Sequence, residues 1–476
     1  MKTDTFPAAT DPGAEASRLL TAQHAAIARD GVPTYQARLA ALDALQARIR
    51  AYRRRFAEAI SADFGSRSTA ETDLAEIITL LSGIRHIRHH LAGWMKPQRR
   101  AVHWTFRPGK ARILYQPLGV IGVISPWNYP LMLSLGPLAD ALGAGNRVLL
   151  KPSEQTPQTA ALLQQMLAEI FAPDQVAVVQ GGPDTAEAFA RLPFDHLLFT
   201  GSTAVGKHVM RAAADNLTPV TLELGGKSPV IVCRDYPLRK AARTIAIGKF
   251  LNAGQTCIAP DYALVPADRA DSFAQAVIDE AGRLYPKLAG NNDYTAIISE
   301  RHYNRLHDLV ETARTMGARI LTRDDPPARA ARKFPPTVIL GATSEMPVMQ
   351  QEIFGPILPV LPYTDLNEAI ETVNAGPKPL ALYCFSNDTA VVDAVLARTR
   401  SGGVTVNATL LHCAQDDLPF GGVGPSGTGA YHGRDGFIRL SHPRAVFETG
   451  RLSALDRLAP PYGRLFRFVT GRLIGK

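Results

Sequence analysis

Cys257 has the sequence surroundings of a reactive thiol. It lies in Asn252-Ala-Gly-Gln-Thr-Cys257-Ile-Ala-Pro260, where small and polar neighbours and turn residues suit a side chain that faces a cleft. Most isolated cysteines are small buried hydrophobes. We expect that role for Cys233 and Cys384, which stand in apolar runs, whereas Cys413 is ambiguous and ranks below Cys257. A thiolate at Cys257 would be a nucleophile.

Glu223 is the candidate general base. It ends an apolar run in Thr221-Leu-Glu223-Leu-Gly-Gly-Lys-Ser-Pro229 and precedes two glycines. Burial there would raise its pKa toward the range in which a carboxylate accepts a proton near neutral pH. The alternative is an ordinary turn or helix cap.

Two strand-to-helix turns could hold a nucleotide. The segment Phe199-Thr-Gly-Ser-Thr-Ala-Val-Gly206-Lys207 opens a predicted helix, whose first N–H groups suit a phosphate, although it lacks the full GxGxxG spacing. In Lys151-Pro-Ser-Glu154 an acid follows a strand, where it can accept hydrogen bonds from ribose hydroxyls. Each turn alone is a weak signal, since either could be an ordinary surface turn.

The elements that must position these residues alternate between short apolar strands and helices. Strands are predicted at 119–124, 147–151, 175–179, 196–200, 229–232, 262–265, 337–340 and 357–362. Helices are predicted at 34–62, 74–91, 156–171, 268–284 and 300–316, after a loose leader of about 17 residues. This alternation predicts an α/β fold with parallel sheets, in two parts joined near 223–227.

Composition narrows the function classes. The 476 residues are 46% hydrophobic and carry a net charge of +9, so the chain is globular and basic. No apolar run is long enough for a membrane-spanning helix, and the first residues lack the apolar core of a secretory signal. The four cysteines show no ligand spacing, which argues against a metal site and for a reducing, cytoplasmic setting. No nucleic-acid-binding pattern accompanies the charge.

The motifs are more specific together than apart. Seven occur in this order: 117–130 (PLGVIGVISPWNYP), 151–154 (KPSE), 199–203 (FTGST), 222–229 (LELGGKSP), 254–257 (GQTC), 351–356 (QEIFGP) and 419–422 (PFGG). In them the chain resembles the aldehyde dehydrogenase superfamily from about residue 35 to 445. Segments 248–262 and 420–433 are similar to its class 3 branch, which includes the bacterial coniferyl aldehyde dehydrogenases.

The resemblance implies a role for each motif. Cys257 would attack the aldehyde, Asn128 with the Cys257 N–H would stabilise the oxyanion, and Glu223 would activate water. The cofactor would be NAD, with NADP as an alternative. Its expected contacts are Ser125, Pro126, Trp127, Lys151, Ser153, Glu154, Gly201, Ser202, Gly206, Leu224, Glu352 and Phe354.

The resemblance also implies a fold and partners. We expect the aldehyde dehydrogenase fold, with N-terminal helices and a Rossmann-like cofactor domain over 18–223, including a bridging strand near 102–116. A catalytic α/β domain would follow over 224–415, and 416–476 would return to the cofactor domain and pair subunits in a homodimer. The basic tail, 451–476, is expected to pack on the partner subunit; contact with an anionic membrane is the less favoured alternative.

The substrate expected from the resemblance is an aromatic or cinnamyl-type aldehyde such as coniferyl aldehyde. A medium- or long-chain fatty aldehyde is the alternative. A reaction that passes the acyl group to coenzyme A is less favoured, because such relatives commonly lack a base where this chain has Glu223. A binding protein that keeps only the fold is disfavoured by the complete set of Cys257, Glu223, Asn128 and Lys151.

Overall fold

The structure is a computed structural model that describes residues 12–323, 326–450 and 458–475. Its strands are β1 Gln98–Arg100, β2 Lys110–Pro117, β3 Val120–Ile124, β4 Arg147–Lys151, β5 Val176–Val178, β6 His196–Gly201, β7 Val220–Leu224, β8 Pro229–Val232, β9 Tyr262–Pro266, β10 Arg319–Thr322, β11 Thr337–Leu340, β12 Ile357–Tyr363, β13 Ala381–Phe385, β14 Gly403–Val406, β15 Gly427–Thr428 and β16 Ser441–Glu448.

The helices are α1 Ala14–Asp30, α2 Tyr35–Phe64, α3 Thr69–Thr72, α4 Thr79–Trp94, α5 Met132–Ala144, α6 Pro157–Ala168, α7 Pro183–Ala190, α8 Thr203–Ala214, α9 Leu238–Phe250, α10 Ala270–Leu284, α11 Glu300–Thr315, α12 Pro347–Gln350, α13 Leu366–Ala375, α14 Thr389–Arg398, α15 Gly433–Arg439 and α16 Arg464–Ile474. None of the helices described here is long and apolar enough to cross a membrane.

Two mostly parallel sheets carry the fold. The first has the order β15-β7-β6-β3-β4-β5, and the second β10-β11-β12-β9-β8-β13-β14. The antiparallel members are the edge strands β15 and β10. The chain leaves the first sheet at Leu224 and enters the second at Pro229. These parallel sheets with helices confirm the predicted α/β class.

The first sheet is covered on both faces, as a parallel sheet requires. Ile121 and Val123 of β3 face the cluster formed with α2, α4 and α5. Val120 and Ile124 face a second cluster on the opposite side. Because side chains alternate along a strand, one apolar run serves both clusters.

The prediction of a loose leader up to residue 17 was wrong over its last residues. Helix α1 begins at Ala14, and its Ala16, Leu19 and Leu20 are buried in the second cluster. Residues 1–11 lie outside the described part of the chain. Alanine and polar residues dominate the segment, so only its packing shows that it belongs to the core.

A third sheet is small and antiparallel, with the order β1-β2-β16. The strand expected near 102–116 begins only at Lys110, because a 3-10 turn occupies Trp104–Phe106. The C-terminal helix α16 has no buried residue, and its Leu465, Phe468 and Leu473 are exposed. The predicted domain boundaries remain predictions.

Candidate active site

The loop before Cys257 has an unusual backbone. Asn252, Ala253 and Gly254 all have positive φ values, of 51°, 51° and 73°. For the two residues with a side chain this conformation costs roughly 1–2 kcal/mol each. A Cβ atom at Gly254 would clash with the carbonyl oxygen of Gly355, so this position requires glycine. We call residues 251–257 the nucleophile loop.

Hydrogen bonds from distant segments hold this loop in place. The Gln255 side chain donates to the carbonyls of Asn252 and Ala296, both at 3.0 Å, and accepts from Ile298 N at 3.0 Å. Asn252 Nδ2 donates to the carbonyl of Asn128 at 3.1 Å. The strained backbone is therefore stabilised from two other parts of the chain.

Glu223 is buried and Cys257 is half-buried, and other acidic groups lie near both. Burial, followed by the charges of Glu223, Glu352 and Cys413, raises the pKa of the Cys257 thiol well above its ordinary value. Burial and then the charge of Glu352 raise the pKa of Glu223 to about 8. Both carboxyl oxygens of Glu223 are buried without a hydrogen-bond partner in the described part of the chain. Such a carboxyl is available to a proton or a water molecule.

Asn128 lies against the nucleophile loop. Its Nδ2 donates to the carbonyl of Gln255 at 3.2 Å, and the neighbouring Tyr129 hydroxyl is 2.7 Å from Thr256 Oγ1. Asn128 and Tyr129 are thus tied to the two residues that precede Cys257.

The buried ion pair between Arg67 and Glu76 holds the backbone of Asn128 in place. Arg67 Nη1 donates to the carbonyl of Asn128 at 2.9 Å and lies 3.0 Å from Glu76 Oε1, with both charged side chains 0% exposed. Glu76 Oε2 accepts from the N–H groups of Leu131 and Met132 at 2.8 and 3.0 Å. The turn after Asn128 is thus held to the N-terminal helices.

A cavity of about 1170 Å³ opens at the carboxyl ends of β3, β4 and β6. Eight predicted cofactor residues line it: Ser125, Pro126, Trp127, Lys151, Ser153, Glu154, Gly201 and Ser202. Lys151 Nζ is 3.6 Å from the Glu154 carboxylate, and the Ser202 side chain caps α8. Position, size and a helix N-terminus suit a dinucleotide. We call this the cofactor cavity.

The other four predicted cofactor residues lie around this cavity rather than in its lining. A Cβ atom at Gly206 would meet Leu224, so Gly206 lets α8 pack closely on β7. Phe354 packs edge-on against Trp127, with ring centroids 5.4 Å apart. The half-buried Glu352 has its carboxyl beside Gly225, and desolvation raises its pKa to about 8.

Sequence reasoning missed several residues of the site. Lys227 forms an ion pair with Asp261 and donates a hydrogen bond to the carbonyl of Gln351. Asp261 Oδ2 accepts a hydrogen bond from Ile353 N at 2.9 Å. These contacts hold the residues on either side of Glu352 in place. Arg67 and Glu76 were missed as well. Arg67 lies in the turn between α2 and α3, where an arginine is unremarkable, and the only signal of Glu76 is a charge inside a largely apolar helical segment.

The fold and site define a class: an α/β protein with a cysteine thiol beside a buried carboxyl, and a separate cavity whose place and size suit a dinucleotide. The chain belongs to the aldehyde dehydrogenase family, whose model matches residues 7–446. It is therefore an oxidoreductase that oxidises aldehydes with NAD(P). A probable coniferyl aldehyde dehydrogenase of Pseudomonas aeruginosa is 52% identical over 94% of this chain and 93% of its own.

Solved structures agree with this assignment. The substrate-bound state of Staphylococcus aureus AldH superposes with a TM-score of 0.91 at 36% identity, covering 96% of this chain and 99% of the other. An aldehyde dehydrogenase of Mycobacterium tuberculosis complexed with NAD⁺ has a TM-score of 0.84 at 27% identity, covering 94% and 97%. The predicted family and fold are confirmed.

Proposed function

We propose that the chain oxidises aromatic or cinnamyl-type aldehydes, such as coniferyl aldehyde, to their acids, with Cys257, Glu223 and Asn128 as its catalytic residues. The observation that carries the proposal is a buried carboxyl without a hydrogen-bond partner whose charge acts on the Cys257 thiol, next to a loop to which the Asn128 amide is hydrogen-bonded. The substrate class is supported by the named relative at 52% identity.

The reaction begins when the Cys257 thiol loses its proton. Glu223, whose charge acts on that thiol, is the base to which we assign this step, and its ionised form is the active one. The thiolate then attacks the carbonyl carbon, and Asn128 Nδ2 with the Cys257 N–H donates to the oxyanion. When bound, the nicotinamide would supply the acceptor for the hydride of the former aldehyde carbon. Loss of that hydride would convert the adduct on Cys257 into a thioester.

Glu223 acts again in the second half of the reaction. Once Glu223 has released the thiol proton to solvent, its carboxylate takes a proton from a water molecule, which attacks the thioester. The acid is released as the Cys257 thiolate leaves. A pKa of about 8 suits this step, since such a carboxylate is a much stronger base than an ordinary glutamate. Retention of this base argues against transfer to coenzyme A.

For the cofactor, Lys151 and Glu154 would hold the adenosine ribose, and the α8 N-terminus the pyrophosphate. The Glu154 carboxylate would repel a 2′-phosphate, which favours NAD. Arg211 and His208 also line the cavity, so NADP remains the alternative.

We further infer a homodimer in a reducing, cytoplasmic setting. The exposed antiparallel sheet β1-β2-β16 offers a surface for subunit pairing, and all four cysteines are free. The apolar side chains of α16 would pack on the partner subunit, which we still favour over an anionic membrane.

The deciding experiment is a substrate panel followed at the absorbance of reduced nicotinamide. Coniferaldehyde, benzaldehyde, hexanal and decanal are compared with NAD and with NADP by kcat/KM. Coniferaldehyde with NAD is expected to lead. A clear lead for decanal would replace the aromatic assignment with the fatty-aldehyde alternative.

A further inference from the structure

Glu71 is a buried acid beside the nucleophile loop that none of the steps above uses. It lies in the short helix α3, and 9% of its surface is exposed. Its Oε2 atom accepts two hydrogen bonds, from the backbone N–H of Asn252 at 3.1 Å and from the hydroxyl of Thr295 at 2.9 Å. Asn252 and Thr295 are themselves fully buried. The carboxyl group therefore joins the N-terminal helices to the segment that carries Cys257.

The place of Glu71 in its own helix predicts a different partner. Ser68 is the N-cap of α3, and its side chain accepts from Glu71 N at 3.3 Å. A glutamate three residues after such a cap commonly returns the bond by accepting from the backbone N–H of the cap residue. Among the described residues Glu71 makes no such bond, and its carboxyl group is engaged by Asn252 and Thr295 instead. The helix does not account for this side chain, whereas the loop does.

Asn252 is the residue at which the left-handed backbone of the loop begins, with a φ of 51°. Its carbonyl accepts from Gln255 N at 3.1 Å, and its Nδ2 atom donates to the carbonyl of Asn128 at 3.1 Å. Glu71 holds the other backbone group of this residue, the N–H. A left-handed conformation at a residue with a side chain persists only where the surrounding contacts enforce it. Glu71 is one of those contacts.

The same short stretch of chain supports both segments of the proposed oxyanion site. Arg67, four residues before Glu71, donates to the carbonyl of Asn128, and Asn252 Nδ2 donates to that same carbonyl. Residues 67–71 thus hold Asn128 directly and the loop of Cys257 through Asn252. These two segments supply the proposed donors, the Asn128 amide and the Cys257 N–H. A displacement of about 1 Å at such groups can lower a rate by about 10²-fold.

We propose that Glu71 is a positioning residue for aldehyde oxidation: by holding the N–H of Asn252 it fixes the left-handed loop, and so places Cys257 and its N–H against the aldehyde carbonyl. This rests on the proposed roles of Cys257 and Asn128. Glu71 acts through Asn252, and neither residue lines the cofactor cavity. Loss of Glu71 should therefore slow the chemistry and leave cofactor binding unchanged.

The test compares Glu71→Ala with the near-isosteric Glu71→Gln and with a matched control, Asp195→Ala. Asp195 also contacts one backbone N–H and one side chain: its Oδ2 atom accepts from Val120 N at 2.7 Å and lies 3.1 Å from His24 Nε2. These contacts lie at the start of β3, whereas the cofactor cavity opens at the other end of that strand. Each variant is measured for its melting temperature, for its affinity for NADH by fluorescence titration, and for the burst rate of reduced cofactor in rapid mixing. The aldehyde is the one that leads the substrate panel, with saturating NAD.

Glu71→Ala should slow the burst by about 10–10²-fold and keep the dissociation constant of NADH within about twofold of the wild type. Glu71→Gln should recover most of the burst rate, because its amide oxygen still accepts from Asn252 N. Asp195→Ala should melt at a lower temperature but keep the wild-type burst rate. A wild-type burst in Glu71→Ala, or an equal loss of rate in Glu71→Gln or in Asp195→Ala, would overturn the positioning role.

If Glu71→Ala does not fold, Glu71→Asp decides the question. Its carboxyl group is set back by one methylene group and cannot meet Asn252 N at the same distance, so a slowed burst supports the proposal and a wild-type burst overturns it. Failure of the proposed function gives a different result. Turnover in Cys257→Ala would overturn the catalytic roles and the role of Glu71 with them, whereas a strict need for Cys257 together with an unaffected Glu71→Ala would overturn the role of Glu71 alone.

Discussion

The cofactor cavity and the nucleophile loop are built in different ways. The cavity is made by consecutive strand-to-helix turns, 151–154 and 199–206, whose residues act where the local sequence puts them. The nucleophile loop has a left-handed backbone that is held by residues as remote as Asn128 and Ala296. The cavity should therefore tolerate single changes, whereas the loop should depend on its distant supports.

The largest effect is expected from Cys257→Ala, which should abolish the chemistry of the nucleophile loop and leave binding in the cofactor cavity intact. Without the thiol no thioester forms, and aldehyde oxidation should fall by at least ~10⁴-fold. Cofactor binding, measured by fluorescence titration with NADH, should persist. Cys384→Ala is the matched control, because Cys384 is buried in β13 away from the cofactor cavity. Turnover at the wild-type rate in Cys257→Ala would refute the mechanism.

Glu223→Gln should slow release of the acid more than hydride transfer. The amide keeps the shape but cannot accept a proton, and loss of a general base costs about 10²–10⁴-fold. Rapid mixing should show a burst of reduced cofactor near one per active site, then slow turnover. Because Glu223 also receives the thiol proton, the burst itself should be slower than in the wild type. A wild-type steady-state rate would contradict the proposed role.

Arg67→Met tests whether remote support of the loop matters to the chemistry. Loss of the hydrogen bond to the Asn128 carbonyl should misplace the oxyanion donor, lowering kcat by about 10–10²-fold with little change in KM for NAD. The variant also leaves Glu76 buried and unpaired, a loss of about 3–5 kcal/mol in the free energy of unfolding. Kinetics are therefore measured well below the melting temperature.

The control for this variant is Arg53→Met, which breaks the exposed ion pair with Asp73. It should change stability by less than about 1 kcal/mol and leave kcat as it was. If Arg67→Met lost stability but kept the wild-type kcat, the ion pair would be structural alone.

The pH dependence should follow the raised pKa of Glu223. Below about 8 the carboxyl is increasingly protonated, so the rate of acid release should fall about tenfold for each pH unit well below that value.

The free energy of unfolding should change with pH in the opposite direction. Since the folded state holds this proton more tightly than the unfolded chain, stability should decline as pH rises from about 4.5 to about 8. Melting temperatures of the wild type and Glu223→Gln, compared across that range, should differ in slope.

The smallest effect is expected in the cofactor cavity. Glu154→Gln removes the carboxylate expected to repel a 2′-phosphate, and should shift the NADP-to-NAD ratio of kcat/KM toward NADP by a few-fold, up to about tenfold. The side chain is 42% exposed, so solvent screens much of its charge. Gln155→Glu, on the same turn, is a control for added charge. No change in the ratio would remove Glu154 as the determinant of cofactor choice.

Much of this molecule could be predicted from local sequence. The strands Arg147–Lys151, Pro229–Val232, Tyr262–Pro266 and Thr337–Leu340, for example, lie within one residue of where apolar runs predicted them. A local cap starts α3, where the Ser68 side chain accepts a hydrogen bond from Glu71 N. Such elements are predictable because periodicity and caps act over a few residues.

Helix α1 and the surroundings of Cys413 were not predictable in the same way. Nothing local shows that the first helix begins at Ala14, inside the predicted leader, and only contacts with the first sheet bury Leu19 and Leu20. Cys413 ranked below Cys257, yet it lies close enough for its charge to raise the pKa of the Cys257 thiol. Both outcomes depend on packing between segments far apart in the chain.

Residue types at short spacing predicted the α/β class and candidate roles for Cys257 and Glu223, and seven ordered motifs pointed to the family, whose resemblance gave Asn128 its role. The left-handed nucleophile loop, the support of Asn128 by Arg67 and the burial of α1 depend on tertiary contacts. The two groups of features differ in the sequence separation of the contacts that create them. Hydrogen bonds and burial that join residues 60 to 300 positions apart leave no regular mark in a linear sequence.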